Sequence, residues 1–330
     1  MLLITGGAGY IGSHAVISFL DAGHDILIFD NLEVGHIETI NKLKKMGHVE
    51  FEKGDLKNLA DVEKLFNKYE FEGVVHFAAY AIIEESINNP DKYYLNNVVG
   101  TLNLLHSMIK HNVKRIVFSS TCATYGEPNY VPIDEKHPQN PINPYGISKL
   151  MVEKILDDYD KAYDLKSIKL RYFNVVGADS QLRIGEWHEN ETHLVPNIIK
   201  SALNKTNEFK IFGDNYDTKD GTCVRDYINV EDLAYAHKLV YEYLLKENKS
   251  DVFNLGTQNG YSVKEVFETC QQILNKKINY KIENRREDEP AILYADISKL
   301  RQVLNWQPKQ TFEHSIKTSY EWEKMNELSK

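Results

Sequence analysis

Cysteine is scarce in this sequence: Cys122, Cys223 and Cys270 are the only three in 330 residues, and no two form a CxxC pair. Such a set supports neither a disulfide framework nor a thiolate metal site, and it suits a reducing compartment. Long apolar runs are missing too; none approaches the roughly 18 residues of a membrane span. Positive charge is in deficit, with 39 Lys and Arg against 48 Asp and Glu, a net of −9. No basic stripe is available for nucleic acid or an anionic membrane, so neither is expected as a partner. Arginines number only seven, so an anionic small molecule must be held by a few placed ones. No basic leader precedes Leu2–Thr5, and a cytoplasmic location is expected. Internal repeats and low-complexity tracts are absent as well.

What is present is alternation. Leu2–Thr5, Ile26–Asp30, Val49–Lys53, Val74–Phe77, Ile116–Ser119 and Ser167–Phe173 read as strands. Most are continuously apolar, the pattern of parallel strands buried on both faces. Helical patterns lie between them, as with Ile11, Ala15 and Phe19 at spacing four. Strand–helix alternation predicts an α/β fold with a doubly wound parallel sheet of the Rossmann type. At about 150 residues per domain the length implies two units. Residues 1–174 are assigned to a nucleotide-binding domain and 175–330 to a smaller α/β substrate domain, parts of which could return to the first sheet. In that second half, 195–203, 230–244, 262–274 and 312–325 look helical, while 209–212, 252–255 and 278–282 look like short strands.

Gly6, Gly9 and Gly12 follow the first strand and open the first helix, together with Tyr10 and Ile11. Glycines there let the backbone approach a pyrophosphate, and the helix N-terminus offers N–H donors and a favourable dipole. Asp30 ends the second strand, where a carboxylate accepts from a ribose diol and repels a 2′-phosphate. NAD rather than NADP is the expected cofactor. Gly54-Asp55-Leu56 after the third strand reads as a loop at the adenine edge.

Tyr145 and Lys149 lie at i and i+4, which stacks them on one helix face. The same spacing recurs at Tyr320 and Lys324, and about two matches are expected by chance, so the motif alone decides nothing. Position decides: only Tyr145 follows the nucleotide half and the strand-end cluster Ser119-Ser120-Thr121. Tyrosine has a pKa near 10, and a neighbouring ammonium with an oxidised nicotinamide would lower it enough to make a usable base.

His76-Phe77-Ala78-Ala79, Asn96-Asn97-Val98, Arg171-Tyr172-Phe173-Asn174, Thr192-His193-Leu194-Val195-Pro196, Gly221–Tyr227, Asn254-Leu255-Gly256 and Arg285-Arg286 complete a series of motifs across both halves. With the glycine loop and the Tyr–Lys pair, the series resembles the extended short-chain dehydrogenases/reductases, specifically the UDP-glucose (UDP-galactose) 4-epimerase family. The resemblance implies Tyr145 as base, Lys149 as the group that holds the nicotinamide ribose and lowers the tyrosine pKa, and Thr121 as auxiliary hydroxyl. It implies an NAD site lined by Gly6, Gly9, Tyr10, Ile11, Gly12, Asp30, Asn31, Asp55, Leu56, Phe77, Ala78, Ala79, Asn96, Ser119 and Tyr172, besides Tyr145 and Lys149. Asn174, Leu194, Phe212, Arg225 and Arg286 would hold a UDP-sugar, with Thr121 at the sugar and Leu293 at its 2-substituent. A leucine rather than a tyrosine at that gate implies that N-acetylhexosamines are accepted beside glucose and galactose. The implied reaction oxidises the sugar at C4, turns the 4-keto form over and reduces it again, with NAD retained. A homodimer through the helices around 93–110 and 145–163 is also implied, with the active site in a cleft between the two domains.

The sequence departs from the family at Ala81, often Lys or Ser; at Asp288-Glu289, usually Gly-Asp; and at Thr121, more often Ser. A nucleotide-sugar 4,6-dehydratase would carry Asp and Glu directly after the strand-end threonine; here stand Cys122 and Ala123, which cannot do that acid–base work. UDP-glucuronate decarboxylation weakens for the same reason. A non-enzymatic NAD-binding regulator would be natural if the Tyr–Lys pair were broken, and it is intact. His188 and His193 are five apart, so they share no helix face and read as a polar loop; Asp214–Gly221 lacks calcium-loop spacing. No metal is expected.

Overall fold

The computed structural model describes residues 1–203, 208–286 and 289–328. A seven-stranded sheet is built from β1 (Leu2–Thr5), β2 (Ile26–Asp30), β3 (Val49–Lys53), β4 (Gly73–His76), β5 (Arg115–Ser119), β6 (Lys166–Tyr172) and β7 (Asp251–Leu255). The order is β7-β6-β5-β4-β1-β2-β3, and every pair from β6 across to β3 is parallel. β1, β2 and β4 bury every residue, as their unbroken apolar runs require. β3 alternates glutamates with apolar residues because it is the sheet's edge. Strand order reverses at β1, which lies between β2 and β4. In doubly wound sheets that switch point is where ligands bind, outside the strands' carboxyl ends.

The chain divides into two compact units, each discontinuous. The first comprises 1–126, 138–171 and 233–253; the second comprises 127–137, 172–232 and 254–330. A single cut between residues 174 and 175 thus does not describe the chain. Residues 233–253 return to the first unit because Tyr241 packs edge-on against Phe19 and fills the space left by Gly73, whose missing Cβ would meet the Tyr241 hydroxyl at 2.7 Å. Residues 127–137 join the second because Ile133 exchanges backbone hydrogen bonds with Tyr294 and Asp296.

In the first unit, α1 (Tyr10–Asp21) follows the glycine loop. α2 (Pro144–Tyr163) begins at Asn143, whose side chain accepts from Gly146 N, and ends at left-handed Asp164. Val152 and Leu156 of α2 share an apolar core with Leu104 and Met108 of helix Gly100–Lys110 and with Val74 and Ile116 of the sheet. The second unit packs α3 (Leu194–Ala202), helix Val263–Leu274 and α4 (Phe312–Leu328) around Ile198, Phe267 and Ile316. Its strands are short: Phe209–Phe212 pairs with Tyr280–Glu283, and Val224–Arg225 lies between Tyr261–Ser262 and Ile292–Leu293. Among the described residues, no helix is long and apolar enough to cross a membrane.

Candidate active site

The glycine loop sits where β1 meets the switch point. Gly6 takes a positive φ of 74°, and a Cβ there would lie 2.6 Å from Ala78 N; one on Gly12 would lie 2.2 Å from Gly6 O. Both glycines are therefore required by the protein's own packing. Gly9 differs: a Cβ on it would meet nothing closer than 3.5 Å. Gly9 also caps α1 with no side-chain hydrogen bond, and a helix N-terminus of this kind favours an anion. The Asp30 carboxylate is buried beside this loop, Oδ2 accepting from Ala8 N at 3.1 Å and Oδ1 from Leu32 N at 2.8 Å. Burial raises its pKa, and the two amides oppose that rise. Each oxygen keeps a lone pair for a diol. The loop and its acid fit a dinucleotide.

The residues around it are brought to the same sheet edge. Asn31 donates to Asp55 Oδ2 at 3.3 Å, and Leu56 is buried next in the chain. The amides of Phe77 and Ala78 donate to Thr5 O, so the β4 loop, with Ala79, is laced to the end of β1. Tyr10, Ile11 and Asn96 are half-buried, and Asn96 donates to Asn97 Oδ1. Asn97 in turn binds both backbone groups of Tyr80 and donates to Ser148 Oγ of α2. It sits in a π-helical turn, Tyr94–Val99, a wide coil that often marks a functional position.

On α2 a buried polar face reads Tyr145, Ser148, Lys149, Glu153. Lys149 Nζ donates to Ser119 O at 2.8 Å and lies 4.9 Å from the Phe118 ring. Burial pulls its pKa down to about 7, against the opposing pull of Glu153. Thr121 Oγ1 accepts from Ala123 N at 3.1 Å, which leaves its own proton to donate. Tyr145 packs with Tyr80 and Tyr93, edge-on to Tyr93. The competing pair, Tyr320 and Lys324, lies on α4 with its lysine exposed.

A supporting layer was not singled out by sequence reasoning. Glu153 accepts from Ser120 Oγ, Gln139 Nε2 and both Nε and Nη2 of Arg171, while Arg171 Nη1 donates to Tyr125. Its signal was available: Glu153 follows Lys149 by four residues, on the same face. His76 is bridged by two threonines. Thr101 Oγ1 donates to Asn97 O and so accepts from His76 Nε2 at 2.8 Å, which leaves Nδ1 to accept from Thr5 Oγ1 at 2.6 Å. The ring is neutral, its pKa driven down to about 3 by burial and then by the Lys149 charge.

The second unit holds the other candidates. Arg225 is buried, with Nη1 donating to Val224 O and Nη2 3.3 Å from Glu289 Oε1. Leu293 is its register partner on the adjoining strand. Tyr216 donates to Glu289 Oε2 at 3.0 Å, so Glu289 is engaged inside the protein; Asp288 lies outside the described residues. The guanidinium of Arg286 lies 4.3 Å over the ring of Phe212 and that of Arg285 4.4 Å over Tyr216. Asn174 N donates to Asp226 O, beside Tyr172 in the chain, and Leu194 opens α3. Ala81 is exposed. Residues 186–193 form a loop, as the histidine spacing predicts, but the loop folds Glu186, His188, Glu191 and His193 together. The reasoning from helix faces thus misses what a loop can assemble.

A family model described as GDP-mannose 4,6 dehydratase matches residues 3–319. UDP-glucose 4-epimerase of Lactobacillus helveticus is 48% identical over 324 residues, covering 98% of this chain and 97% of that protein. The crystal structure of UDP-glucose-4-epimerase from Stenotrophomonas maltophila, with bound NAD and formylated UDP-arabinopyranose, superposes with a TM-score of 0.96 at 33% identity, covering 100% and 99% of the two chains. The UDP-Glc/GlcNAc 4-epimerase of Campylobacter jejuni does so with a TM-score of 0.86 at 43% identity, over 98% and 99%. The positions that would carry a dehydratase's acid and base hold Cys122 and Ala123 instead. By its sequence and its fold, the chain belongs to the UDP-glucose 4-epimerase family.

Proposed function

We propose that this protein interconverts UDP-glucose and UDP-galactose, using NAD that stays bound through turnover. The observation that carries the reading is the buried polar face of α2, where Lys149 and Tyr145 stand one helical turn apart beside the strand-end hydroxyls. NAD would be held by the amides ahead of α1, by Asp30 on the adenine ribose, and by Lys149 on the nicotinamide ribose. When bound, it supplies reversible oxidation at C4 of the sugar. Tyr145 takes the proton of the 4-hydroxyl, and Thr121 donates to the same oxygen. Lys149, close to half-protonated near neutral pH when no ligand is bound, gains ribose acceptors that favour its ammonium form. The ammonium then favours the Tyr145 phenolate. After the 4-keto sugar presents its other face, Tyr145 returns the proton, so no net oxidation occurs. Arg225 and Arg286 are assigned to the diphosphate, with Arg225 exchanging Glu289 for the ligand; charge-assisted bonds of this kind contribute about 1.5–3 kcal/mol each. The purified chain, with no cofactor added, is expected to form UDP-glucose from UDP-galactose. Failure to do so with NAD shown to be bound would contradict the proposal.

We further infer that UDP-N-acetylglucosamine is accepted. Leu293 supports this reading: it adjoins Arg225 in the sheet and lacks the ring and hydroxyl of a tyrosine. The Campylobacter relative is described as acting on both UDP-Glc and GlcNAc. Leu293→Tyr should lose the N-acetylated substrate by at least about tenfold in kcat/KM relative to UDP-glucose, the scale of a steric pocket change. Equal loss of both sugars, or none, would remove Leu293 as the gate.

A further inference from the structure

The loop ahead of α3 carries a cluster that the proposed reaction does not use. Glu186, His188, Glu191 and His193 each bring one ligand-type atom into a group whose members all lie within 4.8 Å of one another. Glu186 Oε1 is 2.7 Å from Nδ1 of His193 and 3.3 Å from Nδ1 of His188. Glu191 Oε1 is 3.2 Å from Nδ1 of His193, and its Oε2 is 3.6 Å from Nδ1 of His188. Four ligands about 2.05 Å from a tetrahedral ion stand about 3.3 Å apart. The four carboxylate–imidazole separations, 2.7 to 3.6 Å, bracket that spacing.

Hydrogen bonding accounts poorly for the arrangement. Both oxygens of Glu186 are buried without a hydrogen bond of ordinary geometry, although imidazole nitrogens lie at 2.7 and 3.3 Å. Where they meet, the carboxylate and the nearer nitrogen are close but poorly aligned to share a proton. A buried carboxylate without a donor is costly, and a cation at that point removes the cost. Glu191 is also held by the loop backbone: its Oε1 accepts from the amides of Thr192 and His193, and Lys200 Nζ lies 3.9 Å from its Oε2. Loop geometry also answers the sequence objection, since histidines five apart need share no helix face once no helix is involved.

We propose that Glu186, His188, Glu191 and His193 bind one divalent cation of the zinc class. Two imidazoles and two carboxylates complete a tetrahedron, leaving no open position for a reactive water, so the site is structural. Trp322 Nε1 of α4 donates to Glu186 O at 2.8 Å, and His193 is the residue before α3. The ion would therefore fasten the loop between two helices of the second unit. None of this depends on the sugar chemistry.

The test uses the full-length chain without a histidine tag, exposed to Zn²⁺ and then desalted. Elemental analysis should find about one zinc per chain. Co²⁺ in its place should give the intense visible absorption of a four-coordinate site. Both signals should fall at least tenfold in Glu186→Gln and in His188→Ala, and a chelator should lower the Tm of the wild type but not of those variants. Zinc below about a tenth per chain, or unchanged in the variants, would mean that the four residues form a histidine–carboxylate ion-pair cluster only. If the variants do not fold, the wild-type cobalt spectrum decides: a weak octahedral spectrum, or none, overturns the site.

Discussion

At the scale of single residues, the account rests on groups whose ionisation is set by burial. Tyr145→Phe keeps the ring and its packing against Tyr93 but loses the ionisable oxygen. Fold and NAD binding should persist while turnover falls at least about a hundredfold, the usual scale for losing a general base. Steady-state assay beside a cofactor-binding measurement checks this, with Tyr320→Phe expected to be nearly silent. His76 supplies a pH test. Its folded pKa, about 3, lies below the ordinary 6.5. Between those values the unfolded chain binds a proton that the folded chain does not, so stability rises with pH across the window and is complete above it. Denaturant titrations at pH 6.5, 5.5 and 4.5 should show the wild type losing stability more steeply than His76→Gln. The difference should reach at most about 1.4 kcal/mol per pH unit; parallel slopes would mean the imidazole is protonated in the folded state.

At the scale of elements, the three loop glycines separate by what constrains them. Gly12→Ala places a methyl against Gly6 O and should destabilise the chain itself. Gly9→Ala has room and an ordinary φ of −82°. It should leave cofactor-free stability within about 1 kcal/mol while weakening NAD binding at least tenfold, because the proposed pyrophosphate would occupy that space. Calorimetric titration with a parallel melt distinguishes the two; a Gly9→Ala chain that binds NAD normally would put the pyrophosphate elsewhere. The strands of the sheet were legible because burial on both faces leaves continuous apolar runs, and β1 and β2 end where those runs end. The two-residue strands at 224–225, 261–262 and 292–293 are too short to show a period. Leu293 and Arg225 became neighbours only through that pairing. The Tyr–Lys pair was legible through its position, whereas the Glu153–Arg171 pair beneath it joins residues 18 apart on different elements, and only Glu153's place four after Lys149 hints at it.

At the scale of the whole molecule, the chain crosses between its two units several times, so neither is one continuous sequence segment. Composition could suggest two units but not those crossings, which depend on Tyr241 filling a gap in the sheet and on Ile133 pairing with the distant Tyr294 and Asp296. The net charge is acidic, and five of the seven arginines, Arg183, Arg225, Arg285, Arg286 and Arg301, fall in the second unit. Cofactor extracted from the purified protein should be NAD(H), since the Asp30 carboxylate is fixed beside the glycine loop; a predominance of NADP(H) would mean that Asp30 does not face the ribose. The central claim is transient oxidation at C4 with nothing exchanged to solvent. It is tested most directly with UDP-galactose deuterated at C4, turned over in ordinary water and analysed by NMR. The account predicts UDP-glucose that still carries the deuterium at C4. Product with hydrogen from water at that carbon would contradict it.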